Sequence, residues 1–302
     1  MISRSTLIAA LVVIELVIVA AAGRAVSGHS SHWNFGGAFA DQPPVVTRID
    51  QSFETGAAPH VVLDVDNATV TVEAAAGTSV HVAGVMRYTH WRSGVKPALT
   101  ALRTADGVRV AAESGLTYTR SLEREVRITV PPGAQVEVLS AASVVASGLR
   151  GKLIARLGNG PVKVDNHRGD LDVTTSSGDV DLVDVQAPAL ALRSDDGDFR
   201  LTSAGGDQID AHTASGKITA VDLRAVDGAL RTDDGHIDVG FASQSDAAVN
   251  LHTSDGRITG VGAAKPDTDG PDSRSLRLGS ARGHFTVATG SGSISVTQGA
   301  SV

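Results

Sequence analysis

Residues 174–182 read TTSSGDVDL, and near-copies follow at 193–201 (RSDDGDFRL), 212–220 (HTASGKITA), 231–239 (RTDDGHIDV) and 252–260 (HTSDGRITG). A sixth and weaker copy is centred on Gly292. The glycines of the six copies are 19, 19, 19, 21 and 36 residues apart. A phrase that recurs at a near-constant period indicates a structural unit stacked on itself, because a catalytic motif is normally present once.

The apolar residues of each copy recur at strand spacing. Positions seven and five before the glycine, and positions two and four after it, are apolar in nearly every copy. Residues two apart on a strand face the same side, so each copy predicts a strand, a turn and a second strand. The position three before the glycine always holds a hydroxyl, and we expect these hydroxyls to bond to one another in a ladder along the stack. They are Thr175, Ser194, Thr213, Thr232, Thr253 and Thr289.

Glycine and aspartate mark the corners of the repeat. Ser, Asp and Ala precede the glycine, and we expect the glycine to supply a positive φ at this corner. Gly151, Gly160, Gly169 and Gly178 lie nine apart, which predicts two corners in each coil of about 19 residues. Stacked coils place parallel strands ~4.8 Å apart. The predicted fold is therefore all-β, a single-chain parallel β-solenoid.

The predicted solenoid covers residues 45–300, and its N-terminal part is less regular. Stretches such as 60–74 (HVVLDVDNATVTVEA) and 124–140 (REVRITVPPGAQVEVLS) alternate polar and apolar residues without the regular corner. They are expected to form either the first coils of the stack or a small cap upon it. Residues 262–273, rich in Gly, Pro and Asp, are expected to form a loop that leaves the stack.

The N-terminus predicts an export signal or a membrane anchor. Residues 7–22 are apolar except for Glu15, which predicts one hydrophobic helix within residues 1–23. A signal peptide would be cleaved after Ala22, and a retained anchor is the favoured alternative. Residues 24–44 lack periodicity and predict a flexible linker. Both alternatives place the solenoid outside the cytoplasm.

Composition excludes several classes of function. The chain of 302 residues has no cysteine, so disulfides and thiolate zinc sites are excluded. Its formal net charge of −7 has the wrong sign for a protein that binds nucleic acid through its phosphates.

The phrase ITVPPGAQVEV (128–138) and the serial S/D-G-D/K/H-I/V-x-V phrases that follow it resemble the bacterial putative-adhesin β-strand repeat family, which includes toastrack-like envelope modules. The resemblance covers about residues 45–299. It implies an exported or anchored protein of the cell envelope with unassigned molecular activity, and it supplies no catalytic residue.

The sequence assigns no catalytic, cofactor-binding or metal-binding residue. Corner aspartates resemble the ligands of calcium-binding β-rolls, but each corner has one glycine where those rolls have two. The position after the glycine is also cationic in three of the six copies when His236 is included. Turn formation is therefore the favoured role of these aspartates. The candidates for calcium are Asp195, Asp196, Asp233 and Asp234.

Two alternatives remain, a carbohydrate-active enzyme and a surface patch that binds a partner. A carbohydrate-active β-helix enzyme, of the polysaccharide lyase or hydrolase type, would need paired carboxylates and aromatic platforms, yet Phe199 and Phe285 fall in core columns. The densest aromatic and cationic cluster is either a binding patch or a cap on the stack. Its members are Tyr88, His90, Trp91 and Arg92.

The sequence thus predicts a non-enzymatic protein of the cell envelope. The predicted role is that of an adhesin-like, scaffolding or envelope-sensing module, with a carbohydrate-active enzyme as the alternative. The expected partners are the membrane, through the N-terminal helix, and an envelope protein or polysaccharide, but no nucleic acid.

Overall fold

The computed structural model of the chain describes residues 44–90, 98–113, 119–260 and 272–298. They form an all-β structure of two twelve-stranded sheets, which confirms the predicted class. These residues include no helix that is long and apolar enough to cross a bilayer. The predicted anchor, residues 1–23, lies outside them, as do residues 24–43 of the predicted linker.

The strands follow one another along the chain with short connections. Their bounds are β1 (Val45–Glu54), β2 (His60–Asp64), β3 (Ala68–Ala74), β4 (Ser79–His90), β5 (Ala98–Arg103), β6 (Gly107–Glu113), β7 (Thr119–Val130), β8 (Gln135–Leu139), β9 (Ser143–Ser147), β10 (Leu153–Arg156), β11 (Val162–His167), β12 (Leu171–Thr174), β13 (Val180–Val185), β14 (Ala189–Ser194), β15 (Phe199–Thr202), β16 (Gln208–Thr213), β17 (Ile218–Leu223), β18 (Asp227–Thr232), β19 (Ile237–Phe241), β20 (Ala247–Asp255), β21 (Ile258–Thr259), β22 (Ser273–Arg277), β23 (Gly283–Ser291) and β24 (Ile294–Gln298).

Successive strands alternate between the two sheets through most of the chain. Sheet A has the order β1-β4-β7-β3-β9-β11-β13-β15-β17-β19-β24-β21. Sheet B has the order β22-β20-β23-β18-β16-β14-β12-β10-β8-β2-β6-β5. From β8 to β19 every pairing between neighbouring strands is parallel. Each coil therefore adds one strand to each sheet, an arrangement consistent with a β-solenoid.

The core is a set of apolar columns that run along the stack. In sheet A, Val180 pairs with Phe199, and Phe199 pairs with Ile218. Ile218 pairs in turn with Ile237. All four are at most 1% exposed, and full burial of one such side chain stabilises the fold by ~1.5–3 kcal/mol. The predicted stacking of these residues is confirmed.

At the C-terminal end the order of the coils in space departs from their order in the chain. In sheet B, β23 pairs with β18 on one side and with β20 on the other. In sheet A, β24 lies between β19 and β21 in the same way. The last coil of the described chain is therefore inserted between two earlier ones. Strand β22, antiparallel to β20, forms the edge of sheet B.

The N-terminal end has a related arrangement. The coil of β2 and β3 lies between the coil of β6 and β7 and the coil of β8 and β9. Beyond β6 and β7, strands β4, β1 and β5 pair antiparallel to their neighbours. The irregular N-terminal part thus supplies both inner coils and a cap, the two alternatives predicted from the sequence.

Candidate interaction surface

The corner glycines are needed for close packing between coils. None of the six corner glycines, all of which lie in the described part of the chain, has a positive φ, so that prediction is wrong. A Cβ on Gly216 would lie 2.0 Å from the carbonyl oxygen of Gly197, far inside van der Waals contact. The corner must therefore be glycine because the backbone of the adjacent coil occupies the place of a side chain. The equivalent distance is 1.9 Å for Gly178, 2.2 Å for Gly197, 2.1 Å for Gly235, 1.8 Å for Gly256 and 2.0 Å for Gly292.

Positive φ occurs instead at the opposite corner, six residues after the glycine. Asp184 and Ser203 have φ of 51° there, and Asp222 has φ of 58°. Asn166 occupies the same position one coil earlier, with φ of 49°. Asn and Asp tolerate this conformation better than other side chains because they bond to nearby backbone groups. This column of short polar residues was the sequence signal for the second corner.

The buried hydroxyl column bonds to backbone and not to itself, contrary to the prediction. The N–H of Gly216 donates to Thr213 Oγ1 at 3.2 Å, and Thr213 Oγ1 donates to the carbonyl oxygen of Gly197 at 3.0 Å. Thr232 repeats the second bond to Gly216 at 2.9 Å. The hydroxyl satisfies a buried donor and a buried acceptor that would otherwise be unpaired.

The corner aspartates predicted as calcium candidates are exposed and hold the turn. The N–H groups of Asp195 and Asp196 donate to the carbonyl oxygen of Ser176 at 3.0 and 2.9 Å. Asp233 Oδ1 lies 3.5 Å from His212 Nε2. Across residues 44–90, 98–113, 119–260 and 272–298, no three His, Cys, Asp or Glu side chains form a group suited to a metal ion. The favoured turn role accounts for these contacts.

The position directly after the glycine also binds backbone. Asp179 accepts the N–H of Asp198 at 3.1 Å, and Asp198 accepts the N–H of Lys217 at 2.7 Å. His236 Nδ1 accepts the N–H of Ser293 at 2.9 Å. Where the side chain at this position is an acceptor, as in these three coils, it ties its coil to the neighbouring one.

The row directly before the glycine alternates between hydroxyls and side chains that carry an acceptor oxygen. Ser177 Oγ donates to Asn159 Oδ1 at 2.9 Å, and Ser291 Oγ donates to Asp234 Oδ1 at 2.8 Å. The alternation keeps two carboxylates in this row about 10 Å apart, two coil spacings. It holds only in the spatial order, which is Asn159, Ser177, Asp196, Ser215, Asp234, Ser291 and Asp255.

The outer face of sheet B carries a row of basic side chains. Arg193, His212 and Arg231 are neighbours in the parallel ladder, and all three are exposed. Within the described chain, neither Arg193 nor Arg231 forms an ion pair. By contrast, Arg156 lies 3.9 Å from Glu137 and 3.6 Å from Asp172. Because Arg193 and Arg231 are exposed and have no ion pair among the described residues, both are available to an acidic group.

The outer face of sheet A is mixed in charge. Lys163, Asp181 and Arg200 are neighbours in adjacent strands. Asp238, two strands beyond Arg200, pairs with Lys217 at 2.5 Å. Val221, 55% exposed, is an apolar residue on the same strand as Thr219. Neither positive nor negative side chains are therefore in excess on this face.

The aromatic residues considered in the sequence lie in the core where the structure describes them. Tyr88 is 2% exposed, so it cannot belong to a surface patch. The side chain of His90, together with Trp91 and Arg92, lies outside the described residues. Phe199 and Phe285 are buried, and Phe285 makes an edge-to-face contact with Phe241 at 5.9 Å between ring centroids. The large apolar side chains exposed in the described chain are Val45, Leu102, Val145 and Val221.

Two basic side chains, His167 and Arg124, are buried. His167 is fully buried, and its Nε2 lies 3.3 Å from the carbonyl oxygen of Asp170. Burial lowers the pKa of His167, and its Nδ1 has no partner among the described residues. Burial also lowers the pKa of Arg124, which donates one hydrogen bond to the carbonyl oxygen of Asp66.

Comparison with known proteins gives one family and several solved structures. A family model described as Toastrack DUF4097 matches residues 60–297. No curated protein matches the chain. A putative cell adhesion protein from Clostridium sporogenes is 14% identical with a TM-score of 0.29, and the match covers 84% of this chain and 100% of that one. A putative adhesin from Bacteroides fragilis is 10% identical with a TM-score of 0.37, covering 83% and 97%. A putative lipid binding protein from Parabacteroides distasonis is 10% identical with a TM-score of 0.38, covering 82% and 96%.

Proposed function

This chain belongs to the Toastrack DUF4097 family, and we propose that it is a non-enzymatic module of the cell envelope that binds a partner through an exposed sheet face. The proposed role is adhesin-like attachment, scaffolding or envelope sensing. The chain is exported in this proposal and held in the membrane by its N-terminal helix. The partner is an envelope protein or polysaccharide.

The unpaired cations of sheet B are the observation that carries this proposal. Arg193 and Arg231 lie two coils apart on the outer face of sheet B, about 10 Å from each other. His212 lies between them. Three successive coils each present one basic side chain in this row, which suits an extended partner with acidic groups. Sheet B is therefore the proposed binding face.

The proposed attachment to the membrane rests on sequence. Residues 7–22 form an apolar run with one carboxyl, Glu15. A linker over residues 24–44 would span roughly 25 Å as a flexible chain, using about 5–6 Å times the square root of its length. The sheets would then stand close to the membrane but free to turn.

A carbohydrate-active enzyme is the less favoured alternative. Such an enzyme brings two carboxylates to one substrate and usually holds the sugar on aromatic rings. Two corner carboxylates, Asp198 and Asp234, each accept a hydrogen bond from the neighbouring coil. The large apolar side chains exposed in the described ranges include no aromatic ring. These contacts favour binding over hydrolysis.

Binding and hydrolysis can be separated in one assay. The full-length chain, held in lipid nanodiscs, is incubated with isolated envelope polysaccharide, and both retention and new reducing ends are measured. We expect retention without new reducing ends, and lower retention for the double variant Arg193→Glu/Arg231→Glu. The matched control Arg200→Glu, on the outer face of sheet A, should retain the polysaccharide. Reducing ends that disappear with Asp196→Asn would instead support the enzyme.

Localisation needs a separate measurement. Intact cells that make the full-length chain are treated with protease before fractionation. We expect the β domain to be digested from outside and the untreated chain to stay with the membrane after a high-salt wash. A protected chain in the soluble cytoplasmic fraction would contradict the proposal.

A further inference from the structure

Strand β1 forms one edge of sheet A and is by far the longest edge strand. It pairs with β4 without a register shift over ten residues, Val45–Glu54. Within the described chain no strand pairs with its outer side. The other edges are the six-residue β5, the five-residue β22 and the two-residue β21. A long, regular, unpaired edge is a template for another strand.

The side chains of β1 are arranged so that this template fits a second copy of itself. Arg48 and Asp50 point outward with opposite charge, two residues apart. Ile49, between them, faces the core side and is only half-buried. In an antiparallel pair with a two-fold axis at Ile49, Arg48 of one copy lies opposite Asp50 of the other. The axis generates two such pairs of opposite charge. We propose that the chain forms a homodimer by antiparallel pairing of β1 with β1 in this register.

Neighbouring registers are disfavoured by charge and by burial. A two-fold axis at Asp50 would place that carboxylate opposite its own copy, and an axis at Arg48 would do the same with two cations. Like charges directly opposite destabilise a strand pair. A shift by a single residue would place core-facing side chains against outward-facing ones. The register centred on Ile49 therefore meets both requirements.

The dimer also completes contacts that one copy leaves partial. Ile49 and Phe53 pack against the core but remain half-buried at the sheet edge. In the proposed register Phe53 lies opposite Val45, which is 39% exposed. Asp50 lies 3.6 Å from His81 Nε2 and 80% of its side chain is exposed, so it remains accessible to an arginine of the second copy. Sheet A of one copy would continue across the axis into sheet A of the other.

Single cysteines test the register directly because the chain has no other cysteine. The full-length chain in detergent is oxidised as Ile49→Cys and, as a matched control, as Gln51→Cys on the same face. We expect a covalent dimer for Ile49→Cys, since residue 49 faces itself across the axis. Gln51→Cys should remain monomeric on denaturing gels, because its two copies lie four residues apart along the strands. Equal cross-linking at both positions, or none at residue 49, would overturn the proposal.

Charge exchange tests the same register without a cysteine. Arg48→Glu and Asp50→Arg, each alone, should shift the mass measured by light scattering from dimer towards monomer across a dilution series. The double variant Arg48→Glu/Asp50→Arg should restore the dimer, because the opposing charges are exchanged. A dimer that responds to neither single change, as expected if the apolar N-terminal segment holds it, would overturn the proposal. A monomeric wild-type chain, as expected if residues 24–43 cover β1 as a strand, would also overturn the proposal.

Discussion

Ser291 donates a hydrogen bond to the carboxylate of Asp234 at 2.8 Å, although 57 residues separate them in the chain. The two residues hold the same corner position in adjacent coils, because the last coil is inserted between two earlier ones. The N-terminal end repeats the device, with β2 between β6 and β8. The first and last parallel coils of the chain are thus each held on both sides, which protects these terminal parts of the chain from fraying.

Gly216→Ala should destabilise the fold strongly. The new Cβ would lie 2.0 Å from the carbonyl oxygen of Gly197, so the coils must separate. We expect a loss of ~1–3 kcal/mol or more in the free energy of unfolding, measured in urea. Gly158→Ala is the matched control, since a Cβ there meets no atom within 4 Å. Equal stability of the two variants would contradict the close-packing role of the corner.

Thr213→Val should cost ~1–3 kcal/mol of stability at nearly constant volume. The substitution leaves the N–H of Gly216 and the carbonyl of Gly197 without their side-chain partner in a buried site. Thr213→Ser keeps the hydroxyl and should retain most of the stability. Thr219→Val, on the outer face of sheet A, serves as the control for loss of a hydroxyl. The measurement is the unfolding midpoint of the wild type and of the three variants. Equal midpoints for Thr213→Val and Thr219→Val would contradict the role of the buried hydroxyl.

Ser215→Asp should destabilise the stack in a salt-dependent way. Residue 215 lies between Asp196 and Asp234 in the alternating row, so three carboxylates would stand in adjacent coils. We expect a loss of about 1 kcal/mol at low ionic strength that shrinks as salt screens the charges. The neutral variant Ser215→Asn should show no such dependence on salt. A salt-independent loss in Ser215→Asp would point to a cause other than repulsion.

Stability should fall as the pH drops below about 6.5, the ordinary pKa of histidine. Burial lowers the pKa of His167 in the folded chain, so the unfolded chain takes up a proton first. This contribution is fully present above the unfolded pKa and is lost between that value and the lower folded pKa. His167→Leu removes the group. The difference in unfolding free energy between the wild type and His167→Leu should therefore depend on pH within this window and level off above it.

Sequence predicted the period, the two strands of each coil and the core columns, because glycine spacing and apolar alternation report directly on the coil. The sequence prediction gave the wrong reason for the corner glycines. A glycine is required at some positions for a positive φ and at others for the close approach of a neighbouring strand, and the sequence does not distinguish the two. The sequence predicted the buried column of hydroxyls that includes Thr213. It did not predict their hydrogen-bond partners, because these are backbone atoms, which every residue has.

The repeat pattern in the sequence did not predict the spatial order of the coils. The 36-residue gap before Gly292 contains the predicted loop, residues 262–273, and residues 261–271 lie outside the described chain. A signal did exist in the corner row. Hydroxyl and acceptor residues alternate only if Ser291 is placed between Asp234 and Asp255. The row of Arg193 and Arg231, proposed as a binding surface, was also missed, because the sequence does not show which carboxylates lie near each arginine.

Cysteine pairs in this cysteine-free chain test the inserted coil most directly. Disulfides require Cα atoms within about 7 Å, which adjacent coils satisfy and coils two spacings apart do not. Asp234→Cys/Ser291→Cys should therefore form a disulfide on mild oxidation of the folded chain, detected by mass spectrometry. Asp234→Cys/Asp255→Cys should stay reduced. The opposite outcome, a bond from residue 234 to 255 and none to 291, would show that the coils stack in the order of the chain.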